Sequence, residues 1–322
     1  MSAQKVLSRY LEPSPLLEAP ILSRELGCRV FLKLDCMLPT GAFKVRGGLH
    51  LLHCMTPKVR SKGIVAATRG NHGQSLAYAC QLFDAPCRLY VPHGNSPLKN
   101  AAMRRLGAEL IEHGHDFDAA CEAAETYADN TGASYVHPAE PPAVLAGVGT
   151  WALEALSQID VQPNAVFIPV GAGSCLVGAI PVFESLSPQT KIVGVTAESA
   201  PAMVESMQSK CVTSASVNET LADGLAVRRP HQQTLDRLLD AKVELVAVTE
   251  REIQKAIRDL LLGEQLVAEG SAATTLAAAR SFVQENQPDS ILLAITGRNI
   301  DPDKLKTCLN SAEPARRFFV AT

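Results

Sequence analysis

Short apolar runs, rich in β-branched residues, alternate along the chain with segments of helical periodicity. Helical patterns extend over 73–83 and from Ser96-Pro97, a favourable helix start, to about Leu106. Thr249 and Glu252 have the spacing of a capping box, which predicts a further helix start. Six runs have the length and composition of buried strands, namely 63–68, 88–91, 165–170, 191–195, 243–248 and 291–296.

This alternation predicts an α/β fold in which parallel sheets are covered by helices on both faces. Ligands of such sheets bind beside the carboxyl ends of the strands. We therefore expect the functional residues in the loops that follow the strands.

Charge and composition narrow the choice of function. The chain has 322 residues with 33 acidic and 30 basic side chains, so it is long enough for two modest domains or one large unit. Without a basic patch, neither nucleic acid nor a membrane is a predicted partner. No apolar run suits a signal peptide or a membrane span. Nine scattered cysteines without a C-x-x-C pair predict reduced thiols in a cytoplasmic protein.

The segment 39–48, PTGAFKVRGG, sets Lys44 among small residues and one aromatic residue. A lysine that forms a Schiff base needs such surroundings, because a partly desolvated amine is deprotonated and nucleophilic. An ordinary surface lysine at a helix start explains this segment equally well.

Two loops have the character of anion sites. The loop 67–75, ATRGNHGQS, follows a predicted strand and opens a helix, where backbone amides bind a carboxylate or phosphate or merely cap the helix. The loop 169–178, PVGAGSCLVG, has small residues that allow amides to close around a phosphate. Leu176 breaks the dinucleotide fingerprint, and no Gly-Lys-Ser/Thr follows, so the loop is not a P-loop.

These three segments, together with 219–226, 268–273 and 295–299, resemble in order the motifs of the serine/threonine dehydratase family. That family comprises pyridoxal-phosphate (PLP) enzymes of fold type II, similar to tryptophan synthase β. The resemblance implies an α/β fold of two open, twisted, parallel-sheet domains flanked by helices, with the active site in the cleft between them. We predict a large PLP-binding domain from 1–50 and 146–322 and a small domain from 51–145.

The resemblance also implies the residues that hold the cofactor. Lys44 would form the Schiff base, Asn71 would bond the phenolic oxygen, and Thr296 would donate to the pyridine nitrogen. Because a hydroxyl does not protonate that nitrogen as a carboxylate would, the ring is a weaker electron sink, which suits β-elimination. The other cofactor-binding residues implied are Phe43, Gly171, Ala172, Gly173, Ser174 and Glu269, and the substrate-binding ones are Thr68, Arg69, Asn71 and His72.

The chain departs from the family pattern at several positions. Arg69 replaces the serine that serves racemases as second acid/base, and a guanidinium with a pKa above about 12 is no base at pH 7; a salt bridge and a substrate contact both remain open for it. Ala172 and Ser174 replace glycines, so a positive φ at either would be strained. Glu198 and Ala202 match two members of the family's cation site, but Val204 replaces its Asp, and we predict no metal.

The predicted activity is that of a PLP-dependent ammonia-lyase. It would convert a β-hydroxy amino acid into a 2-oxo acid and ammonia, with L-threonine, L-serine or a bulkier or acidic analogue such as 3-phenylserine as substrate. A racemase or β-replacement enzyme of the same fold and a non-catalytic PLP-binding protein are the alternatives. We expect a homodimer or homotetramer, and no regulatory C-terminal domain because the chain ends shortly after the last motif.

Overall fold

Two β-sheets, of six and four strands, organise residues 2–310, which are the residues described by this computed structural model. The strands are β1 (Leu16–Glu18), β2 (Arg29–Lys33), β3 (Ile64–Ala67), β4 (Cys87–Val91), β5 (Glu109–Glu112), β6 (Ser134–Tyr135), β7 (Ala165–Pro169), β8 (Lys191–Ala197), β9 (Glu244–Val248) and β10 (Ser290–Ala294).

The helices flank both sheets. They are α1 (Ala3–Leu7), α2 (Pro20–Leu26), α3 (Val45–Cys54), α4 (Pro57–Arg60), α5 (Asn71–Leu82), α6 (Pro97–Arg105), α7 (Phe117–Thr131), α8 (Pro142–Gln158), α9 (Ser174–Leu186), α10 (Ala202–Ser209), α11 (Gln232–Asp240), α12 (Glu250–Glu264), α13 (Gly270–Asn286) and α14 (Pro302–Leu309), with 3₁₀ turns at Asp35–Met37 and Asp223–Leu225.

The larger sheet has the order β1-β2-β10-β7-β8-β9. Its strands are parallel except β1, which pairs antiparallel with β2. Strands β7 and β10 are buried at every residue, as their apolar sequences require in the middle of a covered parallel sheet. All six predicted strands are confirmed. The antiparallel edge corrects the expectation of purely parallel sheets, because β1 has three partly exposed residues and no apolar run to reveal it.

The smaller sheet has the order β5-β4-β3-β6 and is parallel throughout. Its strands all lie between residues 64 and 135, within the interval 51–145. Helices α3 and α8 cross the two ends of that interval and pack against each other. The domain boundaries at 50 and 146 stay a prediction.

One apolar cluster connects the two sheets. It contains Ile64 of β3 and Val166 of β7, together with residues of α3, α8 and α9. The helices between the sheets therefore hold the carboxyl ends of β3, β7 and β10 around a common cleft. No helix within residues 2–310 has the length and apolar character needed to cross a bilayer.

Candidate active site

The cleft encloses about 900 Å³, part of it open to solvent, and is lined by the residues that follow β3, β7 and β10. Thr68, Gly171 and Thr296 mark these three strand ends. Every residue that we predicted to bind the cofactor or the substrate lines this cleft. The structure thus brings together segments that are distant in sequence, as the rule for parallel sheets requires.

Lys44 immediately precedes α3, and its amine is enclosed in the cleft. Its Nζ donates hydrogen bonds to Ser174 Oγ at 2.7 Å and to the Pro138 carbonyl at 3.0 Å. Burial lowers the pKa of Lys44 to about 8, so about a tenth of the amine is neutral at pH 7, far more than for an exposed lysine. The Phe43 ring centre lies 5.1 Å from Nζ. This amine has the character that a Schiff base needs.

A buried ion network holds the first turn of α3, the helix that follows Lys44, and the sequence patterns did not predict it. Arg46, in the first turn of α3, donates to Asp35 and Glu154 over distances of 2.6–2.8 Å. Lys33 also donates to Glu154, at 3.0 Å. The Arg46 side chain has no exposed surface. The only sequence signal was an arginine two residues after the lysine, whose partners lie elsewhere in the chain.

The glycine-rich loop ends at the start of α9. Gly173 precedes that helix with φ of +94°, a conformation that favours glycine, whereas Ala172 and Ser174 avoid the left-handed region. The strain that we considered at 172 and 174 therefore does not arise. A Cβ on Gly173 would lie 2.3 Å from Thr234 Cγ2. The free amides at this helix start are suited to a phosphate.

The asparagine loop is organised by its own side chains. Thr68 Oγ1 accepts hydrogen bonds from the amides of Gly70 at 2.9 Å and Gly73 at 3.0 Å. Asn71 donates to Glu269 Oε1 at 2.7 Å and accepts from Asn299 Nδ2 at 2.8 Å. An Asn amide carries two N–H donors, so these contacts orient Asn71 and leave one donor for a ligand oxygen.

His72, the next residue of the loop, is a neutral hydrogen-bond donor. Burial, together with the nearby Lys44, lowers its pKa to about 3. Its Nε2 lies 3.0 Å from the Val136 carbonyl, which only accepts, so Nε2 carries the proton. The imidazole is therefore held in place and does not act as a base.

Glu269 and Thr296 form the floor of the cleft, and both are 3% exposed. Burial raises the pKa of Glu269 to about 7, against an opposing effect of Lys99. Its Oε2 and the Ser271 hydroxyl are buried without a hydrogen-bond partner. Buried polar atoms are normally paired, so these two point to a polar ligand. One cleft thus contains an amine with a lowered pKa, a helix-start anion site and unpaired polar atoms. These features fit pyridoxal phosphate.

Lys99 and Asp223 also line the cleft. Asp223 belongs to the segment 219–226 that resembles a family motif, but neither residue was predicted to bind the cofactor or the substrate. Lys99 Nζ donates to Asp223 Oδ2 at 2.6 Å. Burial acts against the charge on Lys99, but Asp223 and Glu269 raise its pKa overall. Lys99 lies in the first turn of α6, just after the end of β4, a position that the strand-end rule could have flagged.

The structure also places Arg69 and the two weak candidates for metal ligands, Glu198 and Ala202. Arg69 lines the cleft, forms no hydrogen bond or salt bridge with any residue of 2–310, and has a buried Nε without a partner; after the Ala119 amide, its charge contributes to the lowered pKa of Asp116. Glu198 directly follows β8, and Ala202 is the first residue of α10. Within residues 2–310, no group of three His, Cys, Asp or Glu side chains could hold a metal ion.

The chain is similar to known proteins over nearly its whole length. Residues 7–297 match the family model described as pyridoxal-phosphate dependent enzyme. The L-threonine ammonia-lyase of Thermotoga maritima is 34% identical over 99% of this chain and 80% of its own length. The processed form of threonine deaminase isoform 2 from Solanum lycopersicum superposes with a TM-score of 0.87 at 29% identity, covering 92% of this chain and 82% of that one.

A racemase is also similar. The serine racemase of Dictyostelium discoideum has a TM-score of 0.84 at 27% identity, over 93% of this chain and 96% of that one. The chain therefore belongs to the family of pyridoxal-phosphate-dependent enzymes, with the fold type II architecture and pyridoxal phosphate as its cofactor.

Proposed function

We propose that this enzyme is an ammonia-lyase that converts a β-hydroxy amino acid, with L-threonine and L-serine as the reference substrates, into a 2-oxo acid and ammonia. The observation that carries the proposal is the enclosed Lys44 amine, in contact with Ser174 at the helix-start anion site. Similarity to threonine ammonia-lyases over nearly the whole chain supports it.

Bound pyridoxal phosphate supplies a group that delocalises the negative charge formed at the α-carbon of an amino acid. Lys44 would hold it, the amides of 171–174 would bind its phosphate, and Asn71 and Thr296 would contact its ring. All of these residues line the one cleft between the two sheets, together with Glu269.

Lys44 is also the group suited to take the α-proton. Its lowered pKa lets the free amine accept a proton near neutral pH and pass it on in the same active site. His72 does not compete, because its pKa is about 3 and its N–H is bonded to Val136. The backbone amides at the start of α5 would bind the substrate carboxylate and fix the position of the α-carbon.

Arg69 favours elimination over racemisation in this proposal. A racemase needs a second acid/base on the other face of the substrate, and a guanidinium does not deprotonate at neutral pH. The other residues that follow β3 offer no replacement, since Thr68 accepts two loop amides and His72 is neutral.

The test is release of a 2-oxo acid from L-threonine, L-serine and 3-phenylserine by the PLP-loaded protein. We expect Lys44→Ala to lower turnover at least about 100-fold and to lose the visible absorbance of bound cofactor. Lys58→Ala removes an exposed lysine and serves as the matched control. D-serine that accumulates faster than the oxo acid would make the protein a racemase, and equal turnover in both variants would refute the role of Lys44.

A homodimer or homotetramer and a cytoplasmic location also belong to this proposal. All nine cysteines are free thiols, as suits a reducing compartment. Light scattering of the purified enzyme and fractionation of the source cells measure these two properties directly.

A further inference from the structure

Arg69 stands apart from the other charged residues of the cleft. It follows Thr68 in the asparagine loop and lines both the cleft and an adjoining groove of the surface. Its guanidinium makes no hydrogen bond or ion pair within residues 2–310, and its Nε is buried without a partner. Such a permanent charge with an unpaired buried N–H is costly in a folded protein unless a ligand pairs it.

Two acidic side chains close to Arg69, those of Asp116 and Asp223, have other cations as partners. Asp116 accepts from the amide of Ala119 at 3.0 Å, where it caps α7, and its other oxygen pairs with Arg228. Asp223 pairs with Lys99 at 2.6 Å. After the Ala119 amide, the charge of Arg69 contributes to the lowered pKa of Asp116, although the two side chains form no ion pair. Glu219 and Glu269 also line the groove and the cleft, and neither forms a hydrogen bond or an ion pair with Arg69.

The main groups of an amino-acid substrate have other sites. In the function proposed above, the amine would go to the cofactor held by Lys44, and the α-carboxylate to the amides at the start of α5. The substrate's side chain would then lie toward the wall that the cleft shares with the groove, which Arg69 and Phe117 line. A guanidinium there matches a planar carboxylate, which it binds through two parallel hydrogen bonds.

We propose, resting on the function proposed above, that Arg69 selects β-hydroxy amino acids whose side chain ends in a carboxylate, with 3-hydroxyaspartate as the smallest. The reaction removes ammonia from 3-hydroxyaspartate and leaves oxaloacetate, with the hydroxyl lost as water and water regained when the nitrogen is released. The Arg69–carboxylate pair forms on binding and takes no part in bond breaking.

The experiment compares kcat/KM for 3-hydroxyaspartate, L-serine and 3-phenylserine in the PLP-loaded wild type and in Arg69→Ser. We expect the wild type to prefer 3-hydroxyaspartate, and the substitution to reduce that preference over serine by about 10- to 100-fold, mainly through KM, as for loss of a charge-assisted hydrogen bond. Arg228→Gln removes a nearby arginine that has its own carboxylate partner. Arg228→Gln should change the preference for 3-hydroxyaspartate over serine less than about threefold, as expected for an exposed ion pair.

The outcomes separate this inference from the proposed function. Three outcomes would refute the inference but not the lyase. They are turnover of serine or threonine without a preference for 3-hydroxyaspartate, a preference for 3-phenylserine, and an equal effect of Arg69→Ser on all substrates. Absence of turnover with every hydroxy amino acid would refute the lyase. In that case binding of L-aspartate, followed through the absorbance of bound cofactor, still tests the carboxylate site, because Arg69→Ser should weaken it about tenfold or more.

Discussion

Glu269 is the carboxyl group whose protonation most clearly links the active site to pH. It lies on the cleft floor, bonded to Asn71, with one oxygen unpaired. Burial raises the pKa of this carboxyl group from 4.5 to about 7, so its charge changes at pH values close to neutral. Lys44, with a pKa near 8, titrates just above it. The pair thus brings an acid and a base of similar pKa into one cleft.

The shifted pKa of Glu269 makes stability depend on pH in a defined direction. Between pH 4.5 and 7 the folded chain binds more protons at this residue than the unfolded chain, so the free energy of unfolding falls as pH rises. In Glu269→Gln, which has no carboxyl group at this position, we expect the free energy of unfolding to fall less between these pH values than in the wild type. Urea unfolding of the cofactor-free protein at pH 5 and pH 8 measures it.

The control for that experiment is Glu285→Gln, the same change at an exposed glutamate. Its difference in unfolding free energy between the two pH values should equal that of the wild type. A Glu269→Gln protein with the wild-type difference would show that Glu269 ionises as an ordinary carboxyl group does.

At the scale of elements, the anion site depends on how α9 begins. Residues 171–175 line the cleft, and Gly173 among them is the N-cap residue of α9 and adopts φ of +94°. Alanine there would add left-handed strain of about 1–3 kcal/mol and a contact with Thr234. We expect Gly173→Ala to weaken binding of pyridoxal phosphate at least about tenfold, because relief of the strain must move the loop.

Gly27→Ala is the matched control, because Gly27 ends α2 with φ of +73° and open space around its Cα. It should lower the unfolding free energy by a similar strain and leave cofactor affinity unchanged. Equilibrium titration with pyridoxal phosphate and urea unfolding separate the two effects. Equal cofactor affinity in both variants would mean that the loop does not hold the phosphate.

The same elements show what the sequence could predict. Strands β7 and β10 are continuous apolar runs, so their positions and the loops after them could be identified. Strands β1, β5 and β6 are short and partly exposed, and no apolar pattern marks them. The pairing of Lys99 with Asp223 joins residues 124 positions apart, and such pairing depends on how the two sheets are placed, which local patterns do not encode.

At the scale of the whole molecule, polar contacts join the two sheets across the cleft. Asn71 reaches Glu269, Ser96 reaches Asp301 at 2.7 Å, and Lys99 reaches Asp223. The first partner of each pair belongs to the part of the chain that forms the smaller sheet. Because each contact spans the cleft, we expect the three together to fix the position of the asparagine loop relative to the other wall of the cleft.

The Lys99–Asp223 pair gives the sharpest test of that connection. The side chains are 5% and 23% exposed, and Lys99→Met would leave Asp223 and the buried Glu269 without their shared cation. We expect a loss of about 3 kcal/mol in the free energy of unfolding, the cost of breaking a buried ion pair. Arg104→Met, on the same helix, breaks an exposed pair with Glu112 and should cost at most about 1 kcal/mol.

A double variant distinguishes the ion pair from lost packing. Adding Asp223→Asn to Lys99→Met removes the carboxylate left unpaired, so it should restore about 1 kcal/mol or more relative to Lys99→Met alone. Urea unfolding of the wild type, Lys99→Met, Asp223→Asn and the double variant gives the coupling energy between the two side chains. If the two substitutions are additive, or if Lys99→Met costs no more than Arg104→Met, the charge pair does not hold the sheets together, and the apolar cluster of α3, α8 and α9 alone sets the width of the cleft.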